Sequence, residues 1–236
     1  MKTFRDSAPG EPASNRFGED RFSPLRAEMI EQQLRRRGIT DIGVLAAMAS
    51  VPRHEFVPAD FRHQAYADAP LPIGDGQTIS QPYMVAVMTA ALRLAGVERV
   101  LEIGTGCGYQ AAVLSRVARE VLSVECRPGL AASSAQRLAR LGFATVHVHC
   151  GDGTLGLPEF APFDAILVAA GAPAVPAPLL AQLAAVGRLI LPVGGAEHQE
   201  LQFIERSGTQ FRTLQMEPCR FVPLVGHHGW KESPAR

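Results

Sequence analysis

Residues Val100-Leu101-Glu102-Ile103-Gly104-Thr105-Gly106-Cys107-Gly108-Tyr109 decide the fold, because an apolar run meets an acid, three alternating glycines and then a helical apolar pattern. The spacing predicts a strand, a tight loop and a helix start. Glycine lets a backbone turn sharply and lets a ligand approach it closely, so alternating glycines at the carboxyl end of a strand mark a small-molecule cradle.

The dinucleotide fingerprint G-x-G-x-x-G does not fit this loop, since the third glycine arrives one position early and Tyr109 holds its place. The match is to E-x-G-x-G-x-G. A pyrophosphate site presents bare N–H groups and a helix N-terminus to negative charge, and the Glu102 carboxylate would oppose that. A ligand with a cationic end and no phosphate, such as S-adenosylmethionine, suits the loop better. Glu125 ends the next expected strand, about 20 residues on, where an acid bonds ribose hydroxyls in such folds. Gly151-Asp152-Gly153 follows the third strand and puts another carboxylate at the same edge. The blander alternative is a structural turn with solvated acids; acids recurring at successive strand ends favour the ligand crevice.

Downstream, the pattern alternates: helix 109–118, strand 121–125, helix 128–141, strand 145–149, strand 165–169, helix 176–184, strand 188–191. Alternating elements imply right-handed βαβ units and a parallel sheet covered on both faces. Runs 200–205 and 211–215 flank an Arg206-Ser207-Gly208-Thr209 turn and predict an antiparallel hairpin at one end of the sheet. Upstream, a helix is expected from Ser23 as cap to Gly38. A second runs over 41–50 with Thr40 as cap, and a third, apolar on most faces, from Pro82 to Leu94. Segment 54–73 reads as packed but irregular, and 74–81 as a loop with donors to offer a ligand, whose two glycines suit a moving cover.

The 236 residues carry 23 basic and 23 acidic side chains, which removes the basic footprint of a dedicated nucleic-acid binder. Cys107, Cys126, Cys150 and Cys219 are scattered and read as reduced thiols. With no signal-like or membrane-length apolar run, a cytoplasmic protein without membrane partners is expected. The division expected is a mobile extension over 1–22, one domain over 23–226 whose first part (about 23–80) is helical, and a trailing tail over 227–236.

The chain resembles the protein-L-isoaspartate (D-aspartate) O-methyltransferase family from about Ile30 to Leu224. The matching segments include Val51-Pro52-Arg53, Leu71-Pro72-Ile73-Gly74, Gln77-Thr78-Ile79-Ser80-Gln81-Pro82-Tyr83-Met84, the glycine loop, Gly151-Asp152-Gly153, Gly187–Gly194 and Arg220-Phe221-Val222-Pro223-Leu224. The glycine loop is shared by many methyltransferases, whereas Thr78–Pro82 is specific to the family. The resemblance implies a class I, Rossmann-like, doubly wound α/β fold and S-adenosylmethionine as methyl donor. It also implies methylation of the free α-carboxylate of L-isoaspartyl residues in damaged proteins, with D-aspartyl acceptors left open. The methyl ester then collapses to a succinimide that reopens partly to aspartate. By the same resemblance Ser80 is the active-site serine and Val222 lines the isoaspartyl pocket. Thr78, Ile79, Glu102, Gly104, Thr105, Gly106, Gly108, Glu125, Asp152 and Gly153 hold the cofactor; no metal is expected, and the protein is expected to be a monomer.

Chemistry is consistent with that implication. A carboxylate nucleophile is already ionised at neutral pH, so holding oxygen, methyl carbon and sulfur in line suffices without a general base. The Ser80 hydroxyl is expected to aim the acceptor carboxylate, although it also sits where it could cap the helix that follows. Two readings compete: a class I methyltransferase with another acceptor, and a module that binds cofactor or a partner without transferring methyl. His147-Val148-His149 has metal-like spacing but reads as a partly exposed strand; His227-His228 has the same status. Cys107 reads as a small residue where small residues fit, and Arg35-Arg36-Arg37 as cations complementing a helix C-terminus.

Overall fold

The computed structural model describes residues 21–231. Strands β1 (Leu71–Gly74) and β2 (Gln77–Ile79) form a small antiparallel hairpin. The main sheet has seven strands: β3 (Arg99–Ile103), β4 (Glu120–Glu125), β5 (Val146–Cys150), β6 (Phe163–Val168), β7 (Leu183–Gly194), β8 (Gln199–Ser207) and β9 (Gln210–Cys219). They lie in the order β5-β4-β3-β6-β7-β8-β9, with β3 to β7 parallel and the last two antiparallel. Succession runs one way from β3 through β4 to β5 and then reverses to β6. The switch point, where open α/β sheets bind ligands, therefore lies between the carboxyl ends of β3 and β6.

Both sheet faces are buried, and side chains alternate between them with the strand period of two. Helix α1 (Ser23–Glu28) has no buried residue and leads into the turn Met29–Leu34, which packs with Val100, Val121, Ala165 and Leu167 on one side together with helices α2 (Ile42–Ser50), α3 (Pro82–Ala91) and α4 (Tyr109–Leu114). Leu101, Ile103, Leu122 and Val124 pack on the other with Leu179 of the short α6 (Ala177–Ala181). Burying each such aliphatic side chain contributes roughly 1.5–3 kcal/mol. Helix α5 (Pro128–Arg140) sends Leu138 into the first of these cores.

Local differences from the expected elements have simple causes. The first helix becomes a π-helical turn at Met29–Leu34 and a 3₁₀ turn at Arg35–Arg37, yet Met29, Ile30 and Leu34 remain buried; tertiary packing rather than a regular ladder holds the apolar face. Neither Ser23 nor Thr40 caps its helix. Phe22 occupies the first cap position without a side-chain bond, and the Asp41 carboxylate accepts the Val44 N–H at 2.9 Å, since aspartate is as good a cap as threonine and stands one residue nearer. Helix α3 stops at Ala91, three residues short of the expected end, and α4 at Leu114. Strand β7, at 12 residues, is far longer than the expected 188–191: β8 pairs along it to Gly194 at one end, and at the other it starts at Leu183, opposite Phe163 of β6, where the expected helix would still run.

Of the expected mobile extension, residues 1–20 lie outside the described residues. Phe22 does not belong to it, for its ring stacks on His54 with centroids 4.2 Å apart. Residues 227–231 do not trail off. The Trp230 N–H donates to the Leu224 carbonyl at 2.7 Å and its indole N–H to the Gly171 carbonyl at 3.0 Å. This segment is held by isolated backbone and side-chain hydrogen bonds, which leave no periodicity in a sequence. Among the described residues no helix is long and apolar enough to cross a membrane.

Candidate active site

The loop after β3 turns through backbone angles that only glycine adopts without strain, with φ of +92° at Gly104, +53° at Gly106 and +90° at Gly108. That turn presents the Gly106 N–H to Glu125, whose Oε2 accepts it at 2.8 Å while Oε1 accepts the Arg127 N–H at 3.0 Å. A pyrophosphate would need the Gly106 N–H, and a carboxylate already holds it. Gly153, after β5, faces the same recess, and a Cβ there would come within 2.4 Å of Ile103 Cγ2. The backbone approach thus excludes any side chain.

Glu102 is not where the sequence reading put it. It points under the loop, fully buried and opposite Ser123 in the β3–β4 register, and it does not line the recess. The Ser123 hydroxyl donates to Glu102 Oε2 and lies 2.5 Å from the Thr105 hydroxyl, while Glu102 Oε1 has no hydrogen-bond partner among the described residues. Burial pushes the Glu102 carboxyl up to about 8; the Ser123 bond offsets this in part and the nearby Glu125 adds to it. At neutral pH it is largely an acid rather than an anion. Glu125, rather than Glu102, is the carboxylate that stands against a pyrophosphate at this loop.

Two recesses meet at the switch point. One, of about 500 Å³, is lined by Gly104, Gly106, Glu125 and Gly153. The other, of about 820 Å³, is lined by Ser80, Tyr83, Arg37 and Glu217. Thr78, Ala169 and Val222 belong to both walls. Between them a cleft of about 330 Å³ runs past Ile79, Ser80, Thr105 and Tyr109. The structure thus brings together Thr78, Ser80, Gly104, Gly106, Glu125, Gly153 and Val222. Ile79 and Thr105 are buried beside them, and Gly108 serves as the α4 cap.

Asp152 lies next to this group with its oxygens engaged: Oδ1 accepts the Thr154 N–H at 2.9 Å and hydroxyl at 2.7 Å, and Oδ2 accepts the His227 N–H at 2.7 Å. Burial pushes the carboxyl up, but the bonds from Thr154 and His227 outweigh it and leave it below its ordinary value. Gly226 makes this contact possible, since a Cβ there would fall 2.1 Å from Asp152 Oδ1.

Ser80 precedes α3, whose cap residue is Gln81 with no side-chain cap bond, so the serine hydroxyl is not spent as a cap. Its carbonyl accepts from Arg53 Nη2 at 2.8 Å.

The sequence reading missed Ala169, although its place at the end of β6 follows from the crevice rule. It also missed the rim of the second recess, where the Arg37 guanidinium stacks 3.4 Å from the Tyr83 ring centroid and pairs with Asp68 at 3.0 Å. Glu217 approaches the Tyr83 hydroxyl at 3.4 Å from the far end of the chain, and no local pattern announces such a meeting. His147 pairs with Glu120 at 3.6 Å and His149 packs on Phe160.

With the phosphate role closed at Gly106, the crevice at the switch point of this sheet is that of a class I S-adenosylmethionine-dependent methyltransferase. Comparison with known proteins narrows the class. The family model described as Protein-L-isoaspartate(D-aspartate) O-methyltransferase (PCMT) matches residues 25–229, and the chain belongs to that family. It is 58% identical over 209 residues to the protein-L-isoaspartate O-methyltransferase of Roseiflexus castenholzii, covering 89% of this chain and 95% of that one. It is 55% identical over 218 residues to protein-L-isoaspartate O-methyltransferase 2 of Marinobacter nauticus, covering 92% and 99%. A solved protein-L-isoaspartate O-methyltransferase superposes with a TM-score of 0.76 at 32% identity, over 86% of this chain and 66% of that one. A putative one from Plasmodium falciparum, in complex with S-adenosyl-L-homocysteine, gives 0.72 at 26% identity over 85% and 98%.

Proposed function

We propose that this protein methylates the free α-carboxylate of L-isoaspartyl residues in damaged proteins, as a repair methyltransferase. The observation that carries the reading is the pair of recesses sharing Thr78, Ala169 and Val222, one glycine-walled and one opening at Ser80. Family membership supplies the acceptor.

Gly104, Gly106, Gly153, Thr78 and Glu125 would hold S-adenosylmethionine in the first recess, which offers bare backbone and one fixed carboxylate. When bound, it supplies an electrophilic methyl carbon whose bond to sulfur breaks as the acceptor oxygen bonds to it, the electron pair staying on sulfur. This chain's residues need move no proton, because the acceptor is ionised at neutral pH. Their work is alignment, an effect worth roughly 7–11 kcal/mol in favourable cases. The Ser80 hydroxyl donates to the acceptor carboxylate and aims it, and Val222 closes the pocket behind it. Glu102, Thr105 and Ser123 support the loop from below rather than touching the ligand, and Asp152 fixes the segment beside Gly153.

The equal count of acidic and basic side chains, 23 each, supports a protein that needs no nucleic acid. A cytoplasmic monomer without membrane attachment is the corresponding expectation, which size-exclusion chromatography and cell fractionation check.

A labelled-methyl assay with an isoaspartyl peptide, its aspartyl twin and a D-aspartyl peptide tests the reading. Labelling of the isoaspartyl peptide over the aspartyl one is the expected result, and the D-aspartyl arm defines the breadth of the acceptor. Equal labelling of the first two would point to another acceptor. Labelling of none, with S-adenosylhomocysteine still bound, would point to a non-catalytic module.

A further inference from the structure

Arg53 is wholly buried, and its electrostatic neighbours, Tyr109, Cys107 and Tyr66, include no carboxylate. Its Nε donates to the Ala65 carbonyl at 2.7 Å and its Nη2 to the Ser80 carbonyl at 2.8 Å. Nη1 and the Tyr109 hydroxyl are both buried, with no partner among the described residues outside the Arg53–Tyr109 pair itself, and the guanidinium carbon lies 4.8 Å from the Tyr109 ring centroid. Burial pulls the guanidinium below its ordinary value and raises the Tyr109 hydroxyl to about 12; a guanidinium keeps its proton in proteins, so the arginine is a cation.

A strut between two carbonyls does not require this. Neutral donors satisfy carbonyls, and an unpaired buried charge costs several kcal/mol that an apolar side chain of similar size would avoid. The charge has a use only if an anion arrives to complete it. The proposed function brings one: the acceptor carboxylate, delivered to the residue whose main chain Arg53 holds. The aromatic ring and two carbonyl dipoles carry the cation until then.

We propose that Arg53 is a positioning residue for the acceptor, its guanidinium fixing the Ser80 main chain and supplying the buried positive charge against which the α-carboxylate docks. It touches neither cofactor nor acceptor; it acts through Ser80, whose carbonyl it holds, and by its charge in the buried interior behind that residue, where charges attract more than in water.

The inference rests on the isoaspartyl reading, and its test separates the two. The probes are an isoaspartyl peptide and an analogue whose α-carboxylate is replaced by a carboxamide, used as competitors of methyl transfer to a third isoaspartyl peptide. The parent protein should bind the carboxylate peptide at least about ten-fold more tightly than the carboxamide, the discrimination expected when one partner of a charge pair is lost. Arg53→Met should bring this ratio near one while leaving S-adenosylhomocysteine affinity unchanged by calorimetry. Arg53→Gln keeps a donor for one carbonyl and serves the same purpose if the methionine variant does not fold. Arg53→Lys keeps the charge, so it should preserve the ratio while lowering kcat through a displaced Ser80. A neutral variant that binds cofactor and keeps the parent's ratio overturns the inference and leaves the function standing. A parent that labels no isoaspartyl peptide removes both.

Discussion

Glu125 and Gly106 are joined by an N–H to carboxylate hydrogen bond of 2.8 Å, which ties the end of β4 to the loop after β3. The same carboxylate accepts the Arg127 N–H, so its orientation is fixed before any ligand arrives. Hydrogen bonds to a charged acceptor contribute about 1.5–3 kcal/mol each. Glu125→Ala should therefore weaken S-adenosylhomocysteine binding by about 10- to 100-fold, read by titration calorimetry. An unchanged dissociation constant would mean that the loop needs no such anchor.

Ser80 should behave in the opposite way. Its hydroxyl is not used to cap α3, and Ser80 lines the second recess and the cleft that joins it to the glycine loop. Ser80→Ala should lower kcat about 10- to 100-fold with the isoaspartyl peptide, the range set by one hydrogen bond to a charged group, while cofactor affinity stays near that of the parent. Normal turnover in that variant would remove the serine from the proposed mechanism.

Segment 74–81 was expected to be a loop, and the structure replaces most of it by the hairpin of β1 and β2, turning at Asp75 and Gly76. Gln77 and Thr78 on β2 line the glycine-walled recess, so bound ligand should restrain this hairpin more than its own short ladder does. Amide exchange at residues 77–79 should slow on adding S-adenosylhomocysteine. Equal exchange with and without ligand would show that the hairpin is no cover.

These outcomes follow from parts of the chain that were unequally legible in the sequence. The β3 run, its glycine turn and the Glu125 position read correctly because each depends on local rules: alternating burial, φ above zero and strand-end placement. Glu102 is off the recess wall, which the sequence could not show, because it gives an acid but not which way it points: in β3 it falls on the Val100 face, over Ser123. The Trp230 clasp, the Arg37–Tyr83–Glu217 rim and the Arg53 bond to Ser80 each join residues far apart in the chain, and no spacing rule reaches that far.

Asp152 illustrates how such a distant contact should show itself. Its carboxylate holds the His227 N–H and both Thr154 donors, and Gly226 is packed against it. Asp152→Ala leaves the His227 N–H without this partner and releases the C-terminal segment near Leu224 and Val225, which line the glycine-walled recess. A loss of about 1–3 kcal/mol in stability is expected, with weaker S-adenosylhomocysteine binding and faster exchange at residues 226–230. Full affinity with only the stability lost would make the clasp purely structural.

The proton on Glu102 gives the protein a pH dependence of definite sign. Burial raises its carboxyl from an ordinary 4.5 to about 8 in the fold, so between those limits the folded chain holds a proton that the unfolded chain has released. Stability linked to this group is complete below about pH 4.5, falls as pH rises and levels off above about 8, with a slope approaching 1.4 kcal/mol per pH unit for one proton. Glu102→Gln still accepts from Ser123 but cannot ionise. Urea unfolding of the cofactor-free protein from pH 5 to 8.5 should show the parent losing stability relative to this variant as pH rises. Parallel curves would mean that the Glu102 carboxyl titrates alike in the folded and unfolded chain and that burial does not hold its proton.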